Sequence, residues 1–105
     1  FDWILAKDVL EHIKGINGIT GQLMDSAVRG VFVVVPLAPH DWCPYVVEDY
    51  EKDVTHVHRF TLASWARLFM RPWWSVEARY RLPGVKDNYA QYSMGNGFVT
   101  VRRVK

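Results

Sequence analysis

At 105 residues, half of them hydrophobic and 23% charged, the chain has the composition of one small globular domain or part of one. The formal net charge of +2 is too small to argue for a nucleic-acid partner, and a single cysteine, Cys43, excludes a disulfide framework within the chain. No apolar run approaches the roughly 20 residues that span a bilayer and no signal peptide is visible, so no membrane partner is expected and the unpaired cysteine fits a cytoplasmic location.

In chain order, Ile4-Leu5-Ala6 is short and continuously apolar, as in a strand buried on both faces. Val9, Leu10 and Ile13 follow at helical spacing, and Gly15 and Gly18 punctuate them. Asn17 or Thr20 is a candidate cap for a second helix whose apolar stripe is Leu23, Met24, Ala27 and Val28, with Gly30 as its stop. Val31-Phe32-Val33-Val34-Val35 is the clearest strand, β-branched and ended by Pro36. Strand, helix, strand makes a βαβ unit, with the two strands parallel.

Residues 37–60 show no sustained period. They hold Pro39, Pro44, Trp42, three of the four histidines and the acids Glu48, Asp49, Glu51 and Asp53, and a short helix over 46–52 fits the middle. A stretch of this length without regular structure, inside a compact domain, reads as a functional loop. Thr61 is a good N-cap for an amphipathic helix carrying Leu62, Trp65, Ala66 and Phe69, with Pro72 beyond it. Trp74, Val76, Ala78, Tyr80 and Leu82 then alternate with polar neighbours as a half-buried strand. A polar loop with Pro83, Gly84, Lys86, Asp87 and Asn88 follows, then a turn at Gly95-Asn96-Gly97 and a last strand over 98–104, antiparallel to the one before. The aromatic side chains of Trp65, Phe69, Trp73 and Trp74 read as core, and the basic end formed by Arg102, Arg103 and Lys105 as a solvated surface.

Three phrases carry a resemblance: Phe1-Asp2-Trp3-Ile4-Leu5-Ala6-Lys7-Asp8-Val9-Leu10-Glu11-His12-Ile13, Arg29-Gly30-Val31-Phe32-Val33-Val34-Val35-Pro36, and Asp53-Val54-Thr55-His56-Val57-His58-Arg59-Phe60-Thr61. In this order they resemble the class I S-adenosylmethionine-dependent methyltransferases, of the type 11/12-like kind, from the family's fourth strand onward. The resemblance implies an α/β chain, 1–105, forming the C-terminal part of a single Rossmann-like domain. Its strands would lie in the family's order 4-5-7-6, and the N-terminal half that binds most of the cofactor would not belong to these residues. With Phe at position 1 and no glycine-rich phosphate-type loop after a strand, the chain is expected to be a fragment, a processed product or a truncation, with weak or no cofactor binding of its own.

The candidate site residues follow. In open α/β sheets ligands sit beyond the carboxyl ends of strands. Ala6, Lys7 and Asp8 occupy such an end, and the resemblance turns them toward the methionine part of S-adenosylmethionine. A second reading has Asp8 simply capping the next helix through the amides of Leu10 or Glu11. Glu11 and His12 suggest an acid–base pair, but adjacent helical residues diverge by about 100°. His40, Cys43, His56 and His58 have metal-like spacing in two pairs, yet such pairs arise often and no metal is expected. His40 and His56 are instead candidates to take a proton from a methyl acceptor, and Trp42 and Tyr45 to shape the pocket of a small-molecule acceptor. The other expectation is a non-catalytic α/β binding or scaffold module. In either case the first strand, apolar and lacking a neighbour on one side, is expected to drive self-association.

Overall fold

The fold is given by a computed structural model that describes residues 1–86 and 88–104. Asp87 of the polar loop and Lys105 of the basic end lie outside the described residues. Strands β1 (Trp3–Lys7) and β2 (Gly30–Pro36) run parallel, with Ile4 opposite Val31 and Ala6 opposite Val33. The β-branched run of β2 has no polar side chain to solvate, so it takes an interior place between β1 and β4 (Asn96–Arg103). Strand β4 is antiparallel both to β2 and to β3 (Trp74–Arg79), which gives the order β1-β2-β4-β3. The parallel first pair and the antiparallel last pair are those the sequence implied.

Alternate residues of a strand face opposite sides of the sheet. On one side Ala6, Val31, Val33, Val35, Val99 and Val101 form a single core with Ile16 and Met24 of α1 (Ile16–Ser26) and Leu62 and Trp65 of α2 (Leu62–Arg67). On the other side Trp3 and Leu5 of β1 are exposed, at 42% and 64%, beside half-buried Phe32. Trp3 lies over Gly30, and a Cβ at position 30 would collide with its ring and with the Val101 carbonyl. This glycine therefore serves β2 by letting an indole cross the strand.

Several boundaries depart from the sequence reading. The helix after β1 is one 3₁₀ turn, Leu10–His12, because the chain is already extended at Ile13. The next helix starts after Gly15 with no side-chain cap, and Thr20 Oγ1 donates back to the Asn17 carbonyl instead. Ala27 ends that helix, Val28 is exposed, and Gly30 belongs to β2. Thr61 does cap α2, accepting from the Ser64 amide at 3.2 Å, but the helix ends at Arg67, before Pro72 can act. The short helix of the loop is a 3₁₀ turn over Glu48–Lys52. Asn96 and Gly97 are not a turn but the start of β4, with Asn96 buried and paired to Asn88 and Tyr50. Strand β3 stops at Arg79, and Trp73 is 59% exposed rather than core, at a positive φ of 70°.

Candidate functional site

A cleft of about 280 Å³ opens at the carboxyl ends of β1 and β2. Asp8, Glu11 and His12 come to it from the turn after β1, Pro36 from the end of β2, Tyr50, Asp53 and His56 from the long loop, and Lys86 from the segment after β3. The position follows from the parallel pair: both strands deliver their chain ends to the same edge, and the loop leaving β2 folds back over it.

Asp8 marks the tip of β1. Its φ is 57°, a left-handed conformation that aspartate tolerates better than most residues. Its amide donates to the Val34 carbonyl at 3.0 Å, so the chain stays on the sheet for one residue past the strand. The carboxylate does not cap the following turn, which has no side-chain cap. It accepts from Lys86 Nζ at 2.7 Å instead. The ammonium also lies 5.1 Å from the centre of the Tyr50 ring. Burial pulls the Lys86 pKa down, but the bond to Asp8 and its charge outweigh this and hold it above the ordinary value. Ala6 is buried beneath the tip and Lys7 is exposed on it.

Glu11 is the least ordinary group in the cleft. It is 2% exposed, and its Oε1 is buried with no hydrogen-bond partner. Burial, joined by the charge of Asp8, raises its pKa above the usual carboxylate value, against the opposing pull of its own backbone amide, His12 and His56. Its Oε2 lies 3.8 Å from His12 Nε2 and 3.9 Å from His56 Nε2. The two imidazoles are 4.5 Å apart between ring centres. The Nδ1 atom of each is already engaged. His56 Nδ1 is 2.8 Å from the Tyr50 carbonyl, which can only accept, so that nitrogen carries the proton. Thr55 gives its hydroxyl proton to Asp53 at 2.5 Å, so its oxygen accepts from His12 Nδ1 at 2.8 Å. In the neutral rings both Nε2 lone pairs therefore face the Glu11 carboxylate. Asp53 Oδ2 stands 3.5 Å from His56 Nε2.

The loop that carries His56 is firmly tied. Glu51 receives two bonds from Arg59, at 2.7 and 2.9 Å, and one from the Tyr45 amide at 2.7 Å. The Arg59 bond keeps the Glu51 pKa below the usual value. Asp41 accepts from the Thr61 amide and the Ser64 hydroxyl, which hold its carboxyl low as well. The Val57 amide donates to the Glu11 carbonyl at 2.8 Å and joins loop to turn directly.

Of the candidate site residues read from sequence, Asp8, Glu11, His12 and His56 line this cleft. His40 is exposed in a turn closed by the Cys43 amide and does not line it. Trp42 is 63% exposed, at a φ of 66°, with its ring edge-on to Phe60 at 5.1 Å. Tyr45 is buried, with its ring edge-on to His56 at 5.4 Å and its hydroxyl donating to the His58 carbonyl at 2.5 Å. Burial pushes its pKa up to about 12. His58 is internal, bonded through Nε2 to the Ile13 carbonyl and stacked on Phe60 at 5.3 Å. The four residues with metal-like spacing are therefore not one cluster. Among the described residues the group with ligand atoms mutually within 4.8 Å is Glu11, His12 and His56. Sequence spacing missed it because His56 lies 44 positions beyond His12. The role of Lys86 had no sequence signal.

Among the described residues the fold and the cleft define a small α/β domain with a mixed four-stranded sheet and two α-helices, and a polar site at the carboxyl ends of its parallel strands. No described helix is long and apolar enough to cross a membrane. No family model and no curated protein matches the sequence.

Proposed function

We propose that the chain is the acceptor-side part of a class I S-adenosylmethionine-dependent methyltransferase acting on a small-molecule O, N or C nucleophile. The observation that supports this most is the cleft at the ends of adjacent parallel strands, with Asp8 at the strand tip and His56 reaching in from the following loop. In this reading the methionine part of the cofactor passes along Ala6, Lys7 and Asp8. The acceptor lies on the His56 side, and methyl transfer is in line from the sulfonium. Catalysis is then mainly positioning, with His56 taking a proton where the acceptor must lose one. His40, Trp42 and Tyr45 shape the acceptor side only through the loop that carries them. Calorimetric titration of the chain with S-adenosylmethionine should give no low-micromolar isotherm, since no glycine-rich loop in these residues cradles the cofactor. A tight one-to-one isotherm would contradict the reading.

The same reading accounts for the uncovered side of β1. A groove of about 470 Å³ runs along it between Phe1, Trp3, Leu5 and the α1 residues Ile19 and Leu23. Among the described strands β1 pairs on one side only. A free strand edge beside exposed apolar side chains is a template for pairing. The chain should self-associate through β1, and Leu5→Lys, at an exposed position, should return it to monomer. Light scattering that gives the same mass for both forms would count against this.

A further inference from the structure

We propose that Glu11, His12 and His56 form the protein half of a binding site for a divalent first-row transition ion such as Zn²⁺ or Mn²⁺, a use of His56 Nε2 that takes the place of its role as a base. The donor set is two imidazoles and one carboxylate, which suits ions of borderline hardness and leaves further positions open toward the cleft. Two imidazole donors and a carboxylate come from two separate segments, the turn after β1 and the loop after β2. Their ligand atoms already lie within 4.8 Å of one another. Donors on a common tetrahedral ion are about 3.4 Å apart, so contacts of 3.8 and 3.9 Å close with small side-chain rotations.

Two further features point to a cation rather than to a structural hydrogen-bond network. First, the arrangement turns lone pairs on lone pairs. Both Nδ1 protons are committed outward, so neither Nε2 has a proton to give to Glu11 while the rings are neutral. Only a positive ion or added protons can join these three acceptors. Glu11 Oε1, buried and without a partner, carries the same message from the other side. Second, the supports are those that orient metal-bound histidines: a backbone carbonyl behind His56, and the Thr55 hydroxyl, itself fixed by Asp53, behind His12. Asp53 Oδ2, 3.5 Å from His56 Nε2, is placed to serve as a fourth ligand or to accept from a bound water.

The test uses the full chain and the metal alone. Calorimetric titration with Zn²⁺ should give one equivalent. Glu11→Gln, which keeps the shape of the side chain, and His56→Gln should each weaken it by at least about tenfold. Cys43→Ser and His40→Ala should leave it unchanged. In the unaltered chain, substoichiometric Mn²⁺ should broaden the imidazole resonances of His12 and His56 and spare His40, a readout that does not depend on any variant folding. Binding that survives Glu11→Gln and His56→Gln overturns the site. So does loss of binding in Cys43→Ser or His40→Ala, or broadening at His40 in place of His12 and His56. Absence of both heat and broadening overturns it equally.

Discussion

Trp65→Ala is expected to lower the stability of the chain by about 3–5 kcal/mol, the range for removing a fully buried tryptophan. Trp65 is 0% exposed. Its ring meets Phe60 edge-on at 5.0 Å and His58 at 6.2 Å, and its Nε1 donates to the Pro36 carbonyl at 3.3 Å. It therefore joins α2, the end of β2 and the segment carrying His56 in one contact. For a domain of this size each kcal/mol moves the melting midpoint by about 4–8 °C, so a fall of well over 10 °C is expected in a thermal melt. A loss under about 1 kcal/mol would mean that the loop and helix are not held as described. The exposed Trp73→Ala variant is the comparison, with a small expected effect.

Stability should also fall as the pH rises from about 10 to about 12, and Tyr45 should be a main cause. Its folded-state pKa is raised to about 12 by burial, while an unfolded tyrosine titrates near 10. Between those values the folded chain keeps a proton that the unfolded chain releases. The contribution is fully present below pH 10 and is lost through pH 12. A gap of about two units corresponds to roughly 2–3 kcal/mol. Deprotonation would also turn the donor to the His58 carbonyl into an acceptor facing an acceptor. Tyr45→Phe should lose about 1–3 kcal/mol at neutral pH, because a carbonyl partner goes unmet, and should then decline less steeply in alkali. Urea midpoints measured from pH 9 to pH 12 in both proteins check this. Parallel decline of the two would remove Tyr45 as the cause.

The sheet was legible because its strands are chemically plain. β2 has nothing but apolar and β-branched side chains, and Trp74 and Val76 alternate with Ser75 and Glu77. The parallel pairing of β1 with β2 followed from one helix between two apolar runs. Helix ends were read less well, since Gly15 and Ala27 fix α1 by where the chain must turn onto the sheet, not by side-chain caps. Gly95-Asn96-Gly97 misled because a turn-like triplet is also suited to close packing: Cβ atoms at 95 or 97 would press on Val47, or on Leu62 and Leu37.

The site was legible in part. The places of Asp8 and His56 in the cleft followed from a strand end and a long loop. Setting Glu11 and His12 aside as diverging neighbours on a helix failed for a physical reason. The segment is a single 3₁₀ turn, and the third member, His56, arrives from a loop whose path is fixed by Glu51–Arg59, Asp41 and Trp65 rather than by local sequence. Lys86 reaches Asp8 across 78 positions, a distance no spacing rule covers.

On the proposed function, the carboxyl ends of β1 and β2 are where this chain meets S-adenosylmethionine and a methyl acceptor. Backbone amide spectra of the isotopically labelled chain, recorded while S-adenosylmethionine is raised to millimolar concentration, test it most directly. Progressive, weak shifts at Ala6, Lys7 and Asp8, fading toward α1 and β3, are the predicted result. Shifts confined to the β1 groove around Trp3 and Leu5, with none at the strand tip, would contradict it.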